Sequence, residues 1–168
     1  MNVKIIKDFL TESEFNNFVN FIGSEDFPWY RGYKVYEDDT ENMQMRHVFI
    51  TPEFGRSNMY HGYDQVNRKL DEQGISVVRA KINLTFTSGK KEIGGWHYDF
   101  AKEDENIKIG ILYINTNNGY TELEDGTKIP SVKNTLAIFD NLEHTDVTHT
   151  DTDQRIVLNL GLYLKEEV

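Results

Sequence analysis

The chain has 168 residues, 38% of them hydrophobic and 12% aromatic, which is one domain's worth of sequence with enough apolar side chain to bury a core. A formal net charge of −10, with lysines and arginines scattered singly, offers no footprint for a phosphate backbone or an anionic membrane and disfavours a nucleic-acid substrate. The absence of cysteine excludes disulfides, thiolate metal sites and a cysteine nucleophile.

The first run, Met1-Asn-Val-Lys-Ile-Ile-Lys-Asp8, is too short and too charged for a signal peptide, and no apolar stretch approaches membrane-spanning length. A soluble cytoplasmic protein is the expectation. Residues 3–6 read as a short strand. Thr11-Glu-Ser-Glu14 is a capping-box pattern opening a helix with Phe15, Phe18, Val19 and Ile22 on one face, closed by Gly23. Phe27-Pro-Trp-Tyr30 is an aromatic turn, and strands are expected at 33–36 and 46–50 around an acidic loop at 37–41. A second helix is predicted over 57–73, with Met59, Tyr63, Val66 and Leu70 at helical spacing and Gly74 just past its end.

From residue 75 the character changes. Segments 75–87, 107–115, 135–139 and 155–164 are rich in β-branched and aromatic residues and are separated by Gly, Asn, Asp and Ser turns. Two helices followed by several short strands predict a single α+β domain, mainly β, whose sheets form a sandwich or jelly roll with the helices packed on one sheet. Within 1–168, residues 1–75 would be helical and strand support and 76–168 the β-core.

Three His-x-Asp triplets occur: His97-Tyr-Asp99, His144-Thr-Asp146 and His149-Thr-Asp151. Residues i and i+2 of a strand project to one face, so such a triplet supplies two corners of a 2-His-1-carboxylate metal site. The third ligand must come from another strand. His97 and Asp99 are the pair with downstream partners available, His144 and His149, and Gly94-Gly95 lets the backbone turn tightly ahead of Trp96. Further on, Ile156, Leu158, Leu160 and Leu162 share one face of the last strand, which leaves Arg155, Val157, Asn159 and Gly161 on the other. A guanidinium pointing inward needs an anion, and its planar fork matches a carboxylate. A surface arginine paired with Asp151 or Asp153 is the competing reading.

The ordered set of His97-Tyr-Asp99, then Gly110-Ile-Leu-Tyr-Ile-Asn-Thr-Asn-Asn-Gly-Tyr-Thr-Glu122, then Phe139-Asp-Asn141, His144 and Arg155-Ile-Val-Leu-Asn159, resembles the iron(II)- and 2-oxoglutarate-dependent oxygenases. It looks most like small single-domain members related to prolyl hydroxylases that are common in bacteriophage genomes; for a phage protein the compartment would be the host cytoplasm. The resemblance spans about residues 80–164. It implies a double-stranded β-helix with Fe(II) on His97, Asp99 and a distal histidine, and O2 and 2-oxoglutarate as co-substrates. By the same resemblance Arg155 would take the distal carboxylate of 2-oxoglutarate, helped by Tyr113, with Asn83 a weaker co-substrate candidate because Thr85 stands where some relatives have tyrosine. Gly119 and Thr121 would serve the turn and strand entry.

The distal ligand is assigned to His144. Asp140-Asn141 turns the chain after the strand at 135–139, so His144 falls at the entry of the next strand, whereas His149 adjoins the polar run 150–154 and reads as a solvated turn. Look-alike phage proteins also place a Thr-Asp turn between ligand and arginine, as Thr150-Asp151 stands here. Trp96, Tyr98 and Phe100 would form an apolar rim or pack in the core, and Arg46 would face a substrate. The activity implied is hydroxylation of a C–H bond in a protein side chain, peptidyl proline included, or in a small molecule. A cupin-like zinc hydrolase and a metal-free binding module are the competing classes.

Overall fold

The computed structural model describes residues 3–32 and 44–164; the strand expected at 33–36 and the acidic loop at 37–41 lie outside the described residues. In chain order come β1 (Lys4–Ile6), α1 (Glu12–Ile22), β2 (Tyr30–Gly32), β3 (Gln44–Thr51), β4 (Gly55–Arg56), α2 (Tyr60–Asp71), β5 (Ile75–Phe86), β6 (Ile107–Tyr113), β7 (Tyr120–Leu123), β8 (Lys128–Pro130), β9 (Thr135–Asp140), β10 (His144–Val147) and β11 (Gln154–Leu164). None of the described helices is long and apolar enough to cross a membrane.

The first helix starts where its capping box predicts. Thr11 Oγ1 accepts from the Glu14 N–H at 3.3 Å while the Glu14 carboxylate accepts from the Thr11 N–H at 2.9 Å, an arrangement worth about 1 kcal/mol. Helix α2 begins at Tyr60, three residues later than the spacing predicts, because Ser57 is engaged elsewhere. Its hydroxyl accepts from the Met59 N–H and meets the His47 ring at 3.1 Å, which holds the chain ahead of Tyr60 as a turn.

The strands form two antiparallel sheets. The larger runs β1-β9-β6-β11-β5-β3-β2, with β4 paired to β3; the smaller runs β10-β7-β8. Isolated bridges from Ile93 to Val147 and from His97 to His144 lay segment 93–97 along the free edge of β10. The result is the α+β jelly roll of two antiparallel sheets with two helices on one of them.

Both faces of the large sheet are buried, and they carry different chemistry. Ile82 of β5, Leu112 of β6, Leu136 of β9 and Leu158, Leu160 and Leu162 of β11 pack with Phe15, Phe18 and Ile22 of α1 and Tyr63, Val66 and Leu70 of α2. Ile109, Ile111, Tyr113, Ala137, Phe139 and Val157 turn the other way and meet Leu123 and Ile129 of the small sheet. The period of two along β11 thus sorts helix-side from inter-sheet residues, as its sequence predicts. In register, Arg155, Val157, Asn159 and Gly161 stand opposite Thr85, Asn83, Lys81 and Arg79 of β5, so these eight residues share the inter-sheet face.

Candidate metal centre

His97 and His144 face each other across the bridge that joins segment 93–97 to β10. Each backbone N–H donates to the other's carbonyl at 3.0 Å, which fixes the two residues side by side. The rings lie 4.6 Å apart by centroid. His144 Nδ1 sits 2.8 Å from the Leu142 carbonyl and His97 Nδ1 3.2 Å from the Gly95 carbonyl. A carbonyl at Nδ1 makes that nitrogen the donor and presents Nε2 as the ligand atom, a common orientation for metal-binding imidazole. Together with Asp99, the two histidines bring one ligand atom each to within 4.8 Å of one another.

Asp99 lies two residues past the His97 bridge, in a bend, and a residue of β5 holds it. Arg79 of β5 donates through Nη1 to the Asp99 carbonyl at 3.0 Å and pairs through Nη2 with Oδ1 at 2.6 Å. Its guanidinium lies 4.3 Å over the Phe100 ring, and that ring rests against the α-carbon of Gly161, where a Cβ would collide with it. Gly161 therefore seats the loop that carries Asp99. The other carboxylate oxygen stands 3.6 Å from His144 Nε2. Burial works against ionisation of Asp99, but the nearby His144 ring and the Arg79 charge outweigh it and hold the carboxyl well below the usual carboxylate range. The same pairing raises His144 against its own desolvation, whereas burial and the neighbouring imidazole lower His97.

The triad opens on a cavity between the sheets, lined also by Lys81, Asn83, Thr121, Asp146 and Arg155. Arg155 is 5% exposed, and its guanidinium has two neutral partners: Nε donates to Ser131 Oγ at 3.0 Å and Nη2 to Thr121 Oγ1 at 3.4 Å. No described carboxylate pairs with it, so the surface alternative with Asp151 or Asp153 does not hold. A buried guanidinium without a counter-ion calls for an anionic ligand. Gly119 makes room for it, since a Cβ there would lie 3.2 Å from Arg155 Cδ and 2.8 Å from the Val147 carbonyl. Asn83 is buried with no partner for its Oδ1, a second group waiting on the cavity wall. Tyr113 is fully buried 5.9 Å from Arg155, but its hydroxyl donates to Thr121 Oγ1 at 2.9 Å and does not reach the cavity.

Several expectations change. Thr121, expected only at a strand entry, joins Arg155 to Tyr113 on the cavity wall, and Ser131, which carries no motif, holds Arg155 Nε. His149, expected in a solvated turn, is 0% exposed and lines no part of the cavity. The carbonyls of Thr152 and Asp153 approach its ring, yet neither nitrogen closes a regular hydrogen bond, and burial and then Arg155 lower its pKa. The polar run is indeed a turn, but the imidazole is tucked beneath it. The aromatic rim does not form around the cavity: Trp96 is 42% exposed, Tyr98 reaches toward Glu124, and Phe100 packs into the inter-sheet core. Arg46 is exposed on β3 opposite Asn83, on the cavity face of the sheet.

No family model and no curated protein sequence matches this chain. Solved structures do. An oxidoreductase of the 2OG-Fe(II) oxygenase family from Burkholderia pseudomallei matches with a TM-score of 0.65 at 12% identity, covering 99% of this chain and 86% of its own. A prolyl-4-hydroxylase from Pseudomonas putida matches with a TM-score of 0.58 at 15% identity, over 98% of this chain and 93% of its own. HygX from Streptomyces hygroscopicus, solved with nickel and 2-oxoglutarate bound, gives 0.61 at 6% identity over 96% and 82%. The fold of this chain is therefore the double-stranded β-helix of the 2-oxoglutarate and Fe(II) oxygenases.

Proposed function

We propose that the chain is an Fe(II)- and 2-oxoglutarate-dependent dioxygenase, a single domain in which residues 1–75 brace the β-core of 76–168. One juxtaposition carries the reading: a 2-His-1-carboxylate cluster and a buried arginine without a counter-ion open on the same cavity. His97, Asp99 and His144 would hold the iron as a facial triad, which leaves open positions for a chelating 2-oxo acid and for O2. A metal bound there would activate O2, the oxidant: 2-oxoglutarate, O2 and a substrate C–H would give succinate, CO2 and the hydroxylated product, with one oxygen atom entering each organic product.

The chain's own residues bind and orient. Arg155 would take the distal carboxylate of 2-oxoglutarate. Thr121 Oγ1 already accepts from Tyr113 and Arg155, so its own proton is left to donate into the cavity, beside that carboxylate. Tyr113 then acts through Thr121 rather than on the co-substrate. Asn83, with a free Oδ1, lies between these groups and the triad along β5. The hydroxylated substrate is a protein side chain, with peptidyl proline among the candidates, or a small molecule.

The test is anaerobic reconstitution with Fe(II) followed by turnover. One iron per chain and slow conversion of 2-oxoglutarate to succinate without added substrate are expected. An intact protein that binds neither iron nor 2-oxoglutarate is not an oxygenase, and zinc-dependent hydrolysis in its place would favour the hydrolase reading.

A further inference from the structure

The cavity holds two strong cations, and the oxygenase reading uses one. Lys81 extends from β5 onto the cavity wall, beside Asn159 on β11 and Val48 on β3. No described residue gives its ammonium a hydrogen bond or an ion pair. The carboxylate that influences it, Asp99, is already paired with Arg79 at 2.6 Å. Burial lowers the Lys81 pKa, and the charges of Arg79 and Arg46 press in the same direction against Asp99. Arg46 projects from β3 on the same face, opposite Asn83, exposed and likewise without a described ion pair. In a chain of net charge −10, a lysine and an arginine without a described counter-ion stand on the same face of adjacent strands.

An ammonium that lines a cavity and has no protein counter-ion offers an ionic partner to an anionic ligand. Thr85 stands opposite Arg155 and Lys81 four residues further along β5, about 13 Å at the rise of a strand. We propose that Lys81, with Arg46 on the same face of the neighbouring strand, docks a carboxylate of the molecule to be oxidised, so that the substrate is a carboxylic acid rather than a neutral side chain. This rests on the oxygenase reading and adds the substrate class to it. Asp146 lines the same cavity, and its charge favours a singly charged, planar acid over a phosphate whose second charge would meet it.

The experiment is calorimetric binding to the Fe(II)- and 2-oxoglutarate-loaded protein under anaerobic conditions. The probes are free amino acids and short aliphatic acids, each presented beside its primary amide. At least one acid should bind the wild-type protein about tenfold or more tighter than its amide, the range for one charge-assisted hydrogen bond. That preference should fall to near one in Lys81→Met and Lys81→Gln, reverse in Lys81→Glu, and survive in Lys81→Arg; thermal melts establish that each variant is folded. Three results overturn the proposal: no acid preferred over its amide by the wild type, a preference that persists in Lys81→Met, or a loss of 2-oxoglutarate affinity in Lys81→Met as large as in Arg155→Ala. The last would show that Lys81 serves the co-substrate. A wild-type chain that fails to load iron and 2-oxoglutarate would instead overturn the oxygenase reading, and it is visible before any acid is added.

Discussion

His144-Thr-Asp146 and His149-Thr-Asp151 are the same tripeptide placed twice, five residues apart, and they end in different chemistry. The first begins β10, pinned by Leu123 on one side and by the His97 bridge on the other. In that extended backbone i and i+2 share a face, so His144 joins the triad and Asp146 lines the cavity. The second lies in the turn beyond β10, where the rule of alternation lapses. There the histidine goes in and the aspartate out: His149 is fully buried, while Asp151 accepts from the Asn118 N–H at 2.9 Å and ties the turn to the loop after β6. Between these two copies, the strand that presents the first is what brings its histidine to the cavity.

The largest effect that would break this contrast belongs to His144→Ala. Metal affinity should fall by more than about a hundredfold, beyond what losing a supporting residue costs, while the circular dichroism spectrum stays that of the folded protein. Arg155→Ala should weaken 2-oxoglutarate binding by about 2–5 kcal/mol and leave metal affinity intact, as calorimetry on the two ligands in turn would show. Tyr113→Phe should cost less, because its hydroxyl reaches Thr121 and not the cavity. For His149→Ala the expectation is inverted. Removing a fully buried ring should cost about 2–3 kcal/mol in urea denaturation and leave metal affinity within a few-fold of wild type. An exchange of these outcomes between His144 and His149 would exchange the roles.

The smallest effect is a dependence on pH. Burial first and Arg155 second lower the His149 pKa below its ordinary 6.5, so the unfolded chain takes up the proton more readily than the folded one. The stability this imidazole contributes is therefore complete above about pH 6.5, the unfolded value, and is lost as pH falls below it. His47, also lowered by burial, acts with the same sign. His149→Gln should flatten part of the decline in unfolding free energy between neutral and mildly acid pH and leave the share of His47; an unchanged slope would place His149 in water.

What the sequence discloses and what it hides follow one physical line. His144 and Arg155 are legible because each stands at the start of a strand, where a period of two says which way a side chain points, and His97 and Asp99 are legible as a His-x-Asp pair although they sit at an isolated bridge and in the bend after it. Residues whose role depends on the register between distant strands are not legible. Arg79 reaches Asp99 only because β5 runs beside β11 with Gly161 opposite it, and nothing in the neighbourhood of Arg79 in the sequence says so. Ser131 and Thr121 meet Arg155 from the small sheet, whose strands β7, β8 and β10 are four, three and four residues long and too short to show alternation. The burial of His149 was hidden for a related reason: polar neighbours mark a turn but do not say whether one ring folds beneath it.

One strand lies at the centre of all this. β11 is paired on both edges, by β5 and β6, and covered on both faces, by the helix-side core and by the inter-sheet core. Its amide protons can exchange with solvent only after one of those neighbours has come away, so native-state hydrogen exchange along it reports opening of the domain as a whole rather than local fraying. Arg155 is mounted on that strand. The outer strands β1, β2 and β4 can loosen and re-form many times while the arginine's mounting stays closed, and the capacity to bind an anion is then among the last properties this chain would surrender on the way to unfolding.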